Sequence, residues 1–289
     1  MVLCAERTLS GHDSGVRSCC FSPDGKKVLS ASYDSTLKIW LASDGALLHT
    51  LSGHDCYVNS CCFSPDGKKV LSASGDSTLK IWLASDGALL HTLSGHDLAV
   101  NSCCFSPDGK KVLSASYDST LKIWLASDGA LLRNWGGHDC YVNSCCFSPD
   151  GKKVLSASND STLKTWLASD GALLHTLSGH DNEVYSCCFS PDGKKVLSAS
   201  GDSTLKIWLA SDGALLHTLS GHDNEVNSCC FSPDGKKVLS ASSDSTLKIW
   251  LASDGALLHT LSGHDNEVNS CCFSPDGKKR IWTENGWAP

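Results

Sequence analysis

The triplet Gly-His-Asp stands at Gly11, Gly53, Gly95, Gly137, Gly179, Gly221 and Gly263, 42 residues apart every time. Repetition at this period restricts a chain to a solenoid, a propeller or an array, because each unit must cover the apolar face of its neighbour. Six units are complete, at 11–52, 53–94, 95–136, 137–178, 179–220 and 221–262, and a partial one fills 263–289. Residues 1–10 precede them. No linker interrupts the series, so 1–289 is expected to form one domain.

Inside a unit, short apolar runs alternate with turn signals. Pro23-Asp24-Gly25, Asp34-Ser35 and Asp44-Gly45 punctuate unit one, which predicts turns between antiparallel strands. The expected strands are a near 16–21, b near 28–32, c near 36–41 and d near 46–51. No helical periodicity runs uninterrupted for the roughly 10–12 residues a helix needs. Such a meander has apolar residues on both faces, among them Cys20, Leu37, Ile39 and Trp40. Stacking similar sheets around an axis covers both faces, so the predicted fold is all-β, a propeller of four-stranded antiparallel blades.

A Gly-His pair, an Asp in a tight turn and a Trp on the third strand, all recurring at this spacing, resemble the WD-repeat β-propeller family. The resemblance covers nearly the whole chain. One departure is consistent: Leu41, Leu83, Leu125, Leu167, Leu209 and Leu251 follow the Trp where the family pattern expects Asp. The resemblance implies seven blades, the last incomplete, closed by an N-terminal strand d from residues 4–9. The end of the chain is ambiguous. Arg280-Ile281-Trp282 looks like the Lys-Ile-Trp of strand c, yet it directly follows the Lys pair where strand b should begin. Trp282 or Trp287 is expected to plug the thin last blade.

Each complete unit also holds His, Ser, Asp and Trp: His12, Ser30, Asp34 and Trp40; His54, Ser72, Asp76 and Trp82; His96, Ser114, Asp118 and Trp124; and so on to His222, Ser240, Asp244 and Trp250. Ser, His and Asp together invite a hydrolase reading. Similarity to the family implies instead a structural hydrogen-bond network, since a buried indole N–H and a turn carboxylate both need partners. The resemblance favours Ser30 as the serine, with Ser32 the alternative. No Gly-x-Ser-x-Gly elbow is present, and six identical active sites in one ring would be unusual, so no catalysis is expected. His49, His91, His175, His217 and His259 read as half-exposed residues of strand d, with no second ligand at a zinc-like spacing.

The units differ at four positions: the two residues after Gly-His-Asp, the one after the next Val, and the one before the turn Asp. In unit one these are Ser14, Gly15, Arg17 and Tyr33. Strand alternation puts all four at one end of the blade, here called the top. Thr165 and the run Arg133-Asn134-Trp135-Gly136 are the other departures between complete units. All five tyrosines, Tyr33, Tyr57, Tyr117, Tyr141 and Tyr185, occupy variable positions. The bottom turns, Ser-Pro-Asp-Gly-Lys-Lys and Ala-Ser-Asp-Gly, are identical wherever complete. Units one to four offer Tyr residues and Leu98, whereas units five to seven offer Glu183, Glu225 and Glu267. Tyrosine gives large contact area at low entropic cost. The candidate partner-binding residues are therefore Ser14, Arg17, Tyr33, Tyr57, Leu98, Tyr117, Tyr141, Glu183, Tyr185, Glu225 and Glu267, for a protein or peptide part apolar and part basic.

The net charge of −7 argues against a phosphate-binding surface. Seven bottom Lys pairs such as Lys26-Lys27 are offset by thirteen Asp, so they read as solvated turns. No apolar run approaches the roughly 20 residues of a spanning helix. Fourteen of the seventeen cysteines form seven adjacent pairs, Cys19-Cys20 to Cys271-Cys272. Neighbouring strand residues point to opposite faces, so these read as small buried fillers in a reducing, cytoplasmic setting. No cofactor, metal, nucleic acid or membrane is expected to bind. A closed ring predicts a monomer, and open edges would invite oligomers. Three functional classes are weighed: a recognition module; a self-assembling scaffold, engineered or recently amplified; and an enzyme. The similarity of repeats that vary at the top also suggests the sensor domain of a larger nucleotide-binding oligomerisation protein, although no phosphate-loop motif occurs in this sequence.

Overall fold

The computed structural model describes residues 8–284. In blade one, strands a (Val16–Phe21), b (Lys27–Ser32), c (Leu37–Leu41) and d (Leu47–Leu51) form one antiparallel sheet in the order a-b-c-d. Five more four-stranded sheets repeat this order, and among the described residues the seventh has two strands, Val268–Phe273 and Arg280–Glu284. The fold is an all-β propeller of six full blades and a partial seventh.

Alternation along the strands builds the core between blades. Leu29, Ala31, Leu37, Ile39 and Leu51 of blade one pack against Val58, Cys61, Phe63, Val70 and Trp82 of blade two. Corresponding residues recur at the following interfaces, with Trp135 in place of the strand-d leucine at one and Thr165 in place of the isoleucine at another. The seven strands a stand around the axis, each beside the next, and strand a of blade one packs against both strands of blade seven. Asn269 closes the ring at the top, where its side-chain N–H donates to Val16 O at 3.1 Å.

The register decides the ambiguity at Trp282. Cys271 pairs with Trp282 where Cys19 pairs with Ser30, so 280–284 is strand b and not strand c. Trp282 therefore stands where complete blades carry the network serine. It meets His264 edge-on, 5.4 Å between ring centroids, and packs against the core of blade six. Trp287 and residues 4–7 of the expected closing strand lie outside the described residues, while Thr8 and Leu9 are in no strand.

Two local features shape the top. Gly53 has φ +150°, and a Cβ there would come 3.3 Å from Trp82 Cη2, so only glycine lets the chain pass over the indole. Strand a carries a bulge: Val16 pairs with Ser32 and Ser18 with Ala31, leaving Arg17 without an opposite residue. The bulge recurs in every blade and re-aims the side chain of the extra residue.

Candidate recognition surface

The His-Ser-Asp-Trp sets assemble as hydrogen-bonded chains. In blade two, Trp82 Nε1 donates to Ser72 Oγ at 2.9 Å, His54 Nε2 lies 2.8 Å from the same hydroxyl, and His54 Nδ1 lies 2.7 Å from Asp76 Oδ2. The indole can only donate and the carboxylate can only accept, so a neutral His54 carries its proton on Nδ1 and accepts the Ser72 hydroxyl proton on Nε2. Asp76 also accepts from Asp55 N, Thr78 N and Thr78 Oγ1. Sets with the same spacing occupy the other five complete blades. The network serine is Ser30 and its equivalents. Ser32 instead donates to Ser14 O and Gly15 O and accepts from Asp34 N, pinning the d–a loop to the b–c turn.

Electrostatics fit a structural chain. Burial alone would raise the Asp76 and Asp118 carboxyls, but hydrogen bonds from histidine and threonine and the histidine charge outweigh it and hold both well below the usual carboxylate range. Burial lowers His12 and His222 despite their Asp partners. The histidine and serine side chains are sealed between strands rather than presented to a cleft.

The variable positions meet in pairs. Tyr33 N donates to Gly15 O, Gly75 N to Tyr57 O, Tyr117 N to Ala99 O and Asn159 N to Tyr141 O. Gly201 N and Ser243 N bond Glu183 O and Glu225 O in the same way. Four tyrosines couple across blades: Tyr33 and Tyr57 meet edge-on at 5.7 Å, and Tyr117 and Tyr141 lie 4.6 Å apart. The Arg17 guanidinium sits 5.2 Å over the Tyr33 ring. Tyr33, Leu98 and Tyr141 are exposed, whereas Ser14, Arg17, Tyr57, Tyr117 and Tyr185 are half-buried.

Acidic groups adjoin the aromatic ones. Burial and then the Glu225 and Glu183 carboxylates push the Tyr185 phenol up to about 12. Glu183 and Glu225 are half-buried, Glu267 is exposed, and the seven aspartates of the Gly-His-Asp type are exposed around the same end.

An additional ring of contacts was not anticipated. The bulged Asn59, Asn101, Asn143, Asn227 and Asn269 each donate through Nδ2 to the carbonyl of the next blade's first strand-a residue, at 3.0–3.3 Å. Arg17 and Tyr185 occupy the same position in the remaining two blades, so these two replace a structural rung with a different side chain. At the bottom, the reading of solvated turns needs correction for the second lysine of four pairs. Lys27, Lys69, Lys153 and Lys195 donate to Ala84 O, Ala126 O, Ala210 O and Ala252 O of the following blade. These contacts cap c–d turns, which is why the lysines are half-buried. Among the described residues no group of three or more His, Cys, Asp or Glu is arranged to hold a metal ion, and no helix is long and apolar enough to cross a membrane.

Comparison with known proteins agrees with this geometry. The family model "WD domain, G-beta repeat" matches residues 4–40, 45–82, 87–124, 129–166, 171–208, 213–250 and 255–281. A human protein, WD repeat-containing protein 88, is 45 % identical over 42 residues, which is 14 % of this chain and 9 % of that protein's length. Members of this family are typically protein-interaction modules and generally not catalysts. Seven matched repeats, the stacked four-stranded blades and the Trp-Ser-His-Asp chains together show that this chain belongs to the WD40 repeat family.

Proposed function

We propose that the protein is a non-catalytic recognition module that holds a protein or peptide on its top face, through an aromatic sector next to an acidic one. The observation that carries this reading is the distribution of differences between units. Side chains that vary gather where the d–a loops and b–c turns meet, while the bottom turns are letter-identical. Loops tolerate change, yet tolerance alone would also vary the exposed bottom turns.

The chemistry of the rim suggests the ligand. Paired tyrosines offer flat apolar area, and the one strong cation among them, Arg17, is already stacked on Tyr33. Glu183, Glu225 and the exposed aspartates favour a lysine or arginine beside the ligand's apolar part.

The test is selection of peptides from a displayed library on the intact protein, counter-screened on a version in which Tyr33→Ser, Tyr57→Ala, Tyr117→Ser, Tyr141→Ala and Tyr185→Asn adopt residues found at those positions in other units. Selected sequences are expected to carry an aromatic or aliphatic residue near a Lys or Arg and to be lost on the variant. Enrichment of acidic peptides, or equal retention by both proteins, contradicts the proposal and favours a scaffold without a specific ligand.

A further inference from the structure

The adjacent cysteines of each strand a point to opposite faces, and this creates contacts between blades. The first of each pair is buried and the second is half-buried. Cys61 Sγ lies 3.8 Å from Ser18 O and Ser18 Oγ of the previous blade, the face that also carries Cys20. The corresponding approach recurs at Cys103, Cys145, Cys187, Cys229 and Cys271. The thiols influence one another across these interfaces: in the pairs Cys20 and Cys61, Cys62 and Cys103, Cys104 and Cys145, Cys146 and Cys187, Cys188 and Cys229, Cys230 and Cys271, and Cys272 and Cys19, burial and the facing thiol together raise the titration of one member, as thiols on facing strands do. The last pair spans the seam between the first blade and the incomplete seventh. At the bottom of this ring of strands a cavity of about 340 Å³ is lined by Cys104, Cys146, Cys188 and Cys230.

We propose that these cross-blade thiol pairs are an oxidant-modifiable belt, in which hydrogen peroxide entering the cavity converts neighbouring thiols into disulfides that staple blade to blade. The half-buried sulfur, as thiolate, attacks peroxide: an S–O bond forms, the O–O bond breaks, and water leaves once the released hydroxide is protonated. The buried thiol of the next blade then attacks that sulfenic acid. An S–S bond forms, the S–O bond breaks and a second water leaves. Two thiols lose two electrons and one peroxide becomes two waters.

Peroxide is small enough for the cavity, and the resolving thiol lies on the facing strand of the next blade, Cys187 Sγ being 3.7 Å from Ser144 Oγ. The hydrogen bond with Cys187, followed by burial, holds the Cys146 thiol well above the ordinary thiol range. Thiolate is therefore scarce at neutral pH, and the reaction accelerates as pH rises.

The repeats' few departures make the belt readable. Cleavage after Lys and Arg releases residues 134–152, containing Cys146, and residues 165–194, containing Cys187, each with a sequence found nowhere else in the chain. The intact protein is treated with hydrogen peroxide at mildly alkaline pH, alkylated under denaturing conditions and digested without reductant. The expected result is a covalent link between these two peptides, absent after dithiothreitol, with a raised melting temperature for the oxidised monomer. Cys146→Ser should abolish the link, and Cys146→Ala provides the same test should the serine variant fail to fold. Addition of oxygen without cross-linking, links only between molecules, or a link that survives in the Cys146 variants through Cys140 would overturn the proposal.

Discussion

At the scale of single residues, identical blades act as internal controls for one another. Thr165 replaces the Ile of other units at a position 1 % exposed, and its hydroxyl has no hydrogen-bond partner. An orphaned buried hydroxyl costs about 1–3 kcal/mol, so Thr165→Ile should raise stability by about that amount in chemical denaturation. No gain would mean that the hydroxyl is satisfied by solvent. Ser72 has the opposite character. Ser72→Ala removes the partner of Trp82 and of His54 together and should cost about 2–5 kcal/mol without changing the fold. Trp, His, Ser and Asp recur at fixed offsets in the sequence, and the family resemblance implied that they join as a hydrogen-bonded chain. The choice of Ser30 over Ser32 came from the family resemblance and not from spacing, since both lie on strand b with side chains on the same face.

At the scale of strands and turns, the sequence predicted four strands per unit almost to the residue, since proline, glycine and aspartate mark every reversal. The bulge in strand a escaped it. Val58 and Cys61 are buried on one face although three residues apart, a spacing that breaks two-residue alternation and signals an extra residue. The bulge aims Asn101 at the neighbouring blade, and that rung depends on geometry between units that no single unit's sequence contains. Asn101→Ala should lower stability by about 1 kcal/mol through loss of the bond to Val142 O. An unchanged denaturation midpoint would mean that the rung adds nothing to stability. The cross-blade meeting of cysteines was hidden for the same reason: adjacency along the chain excludes bonding within a pair and says nothing of the next blade.

At the scale of the whole molecule, six copies of the histidine–aspartate pair make stability sensitive to acid. The carboxyls of Asp76, Asp118, Asp160 and Asp202 are held below their ordinary range, so the unfolded chain binds protons first as pH falls. His12 and His222 are also lowered, with the same sign. The melting temperature should be flat above about pH 6.5, decline below it as unfolded histidines protonate, and fall steeply below about pH 4. A stability maximum on the acid side would contradict the lowered carboxyls and the lowering of His12 and His222.

Whether the varied rim is a binding surface is decided by calorimetric titration of one selected basic–aromatic peptide into three proteins. These are the unmodified protein, the five-tyrosine replacement, and a bottom-face variant with Lys68→Ala and Lys110→Ala. The tyrosine replacement should weaken binding by about 30-fold or more, the equivalent of roughly 2 kcal/mol, with the fold retained, and the bottom variant should bind as the unmodified protein does. Equal affinity for the first two, or weakening by the bottom variant alone, would contradict binding at the rim.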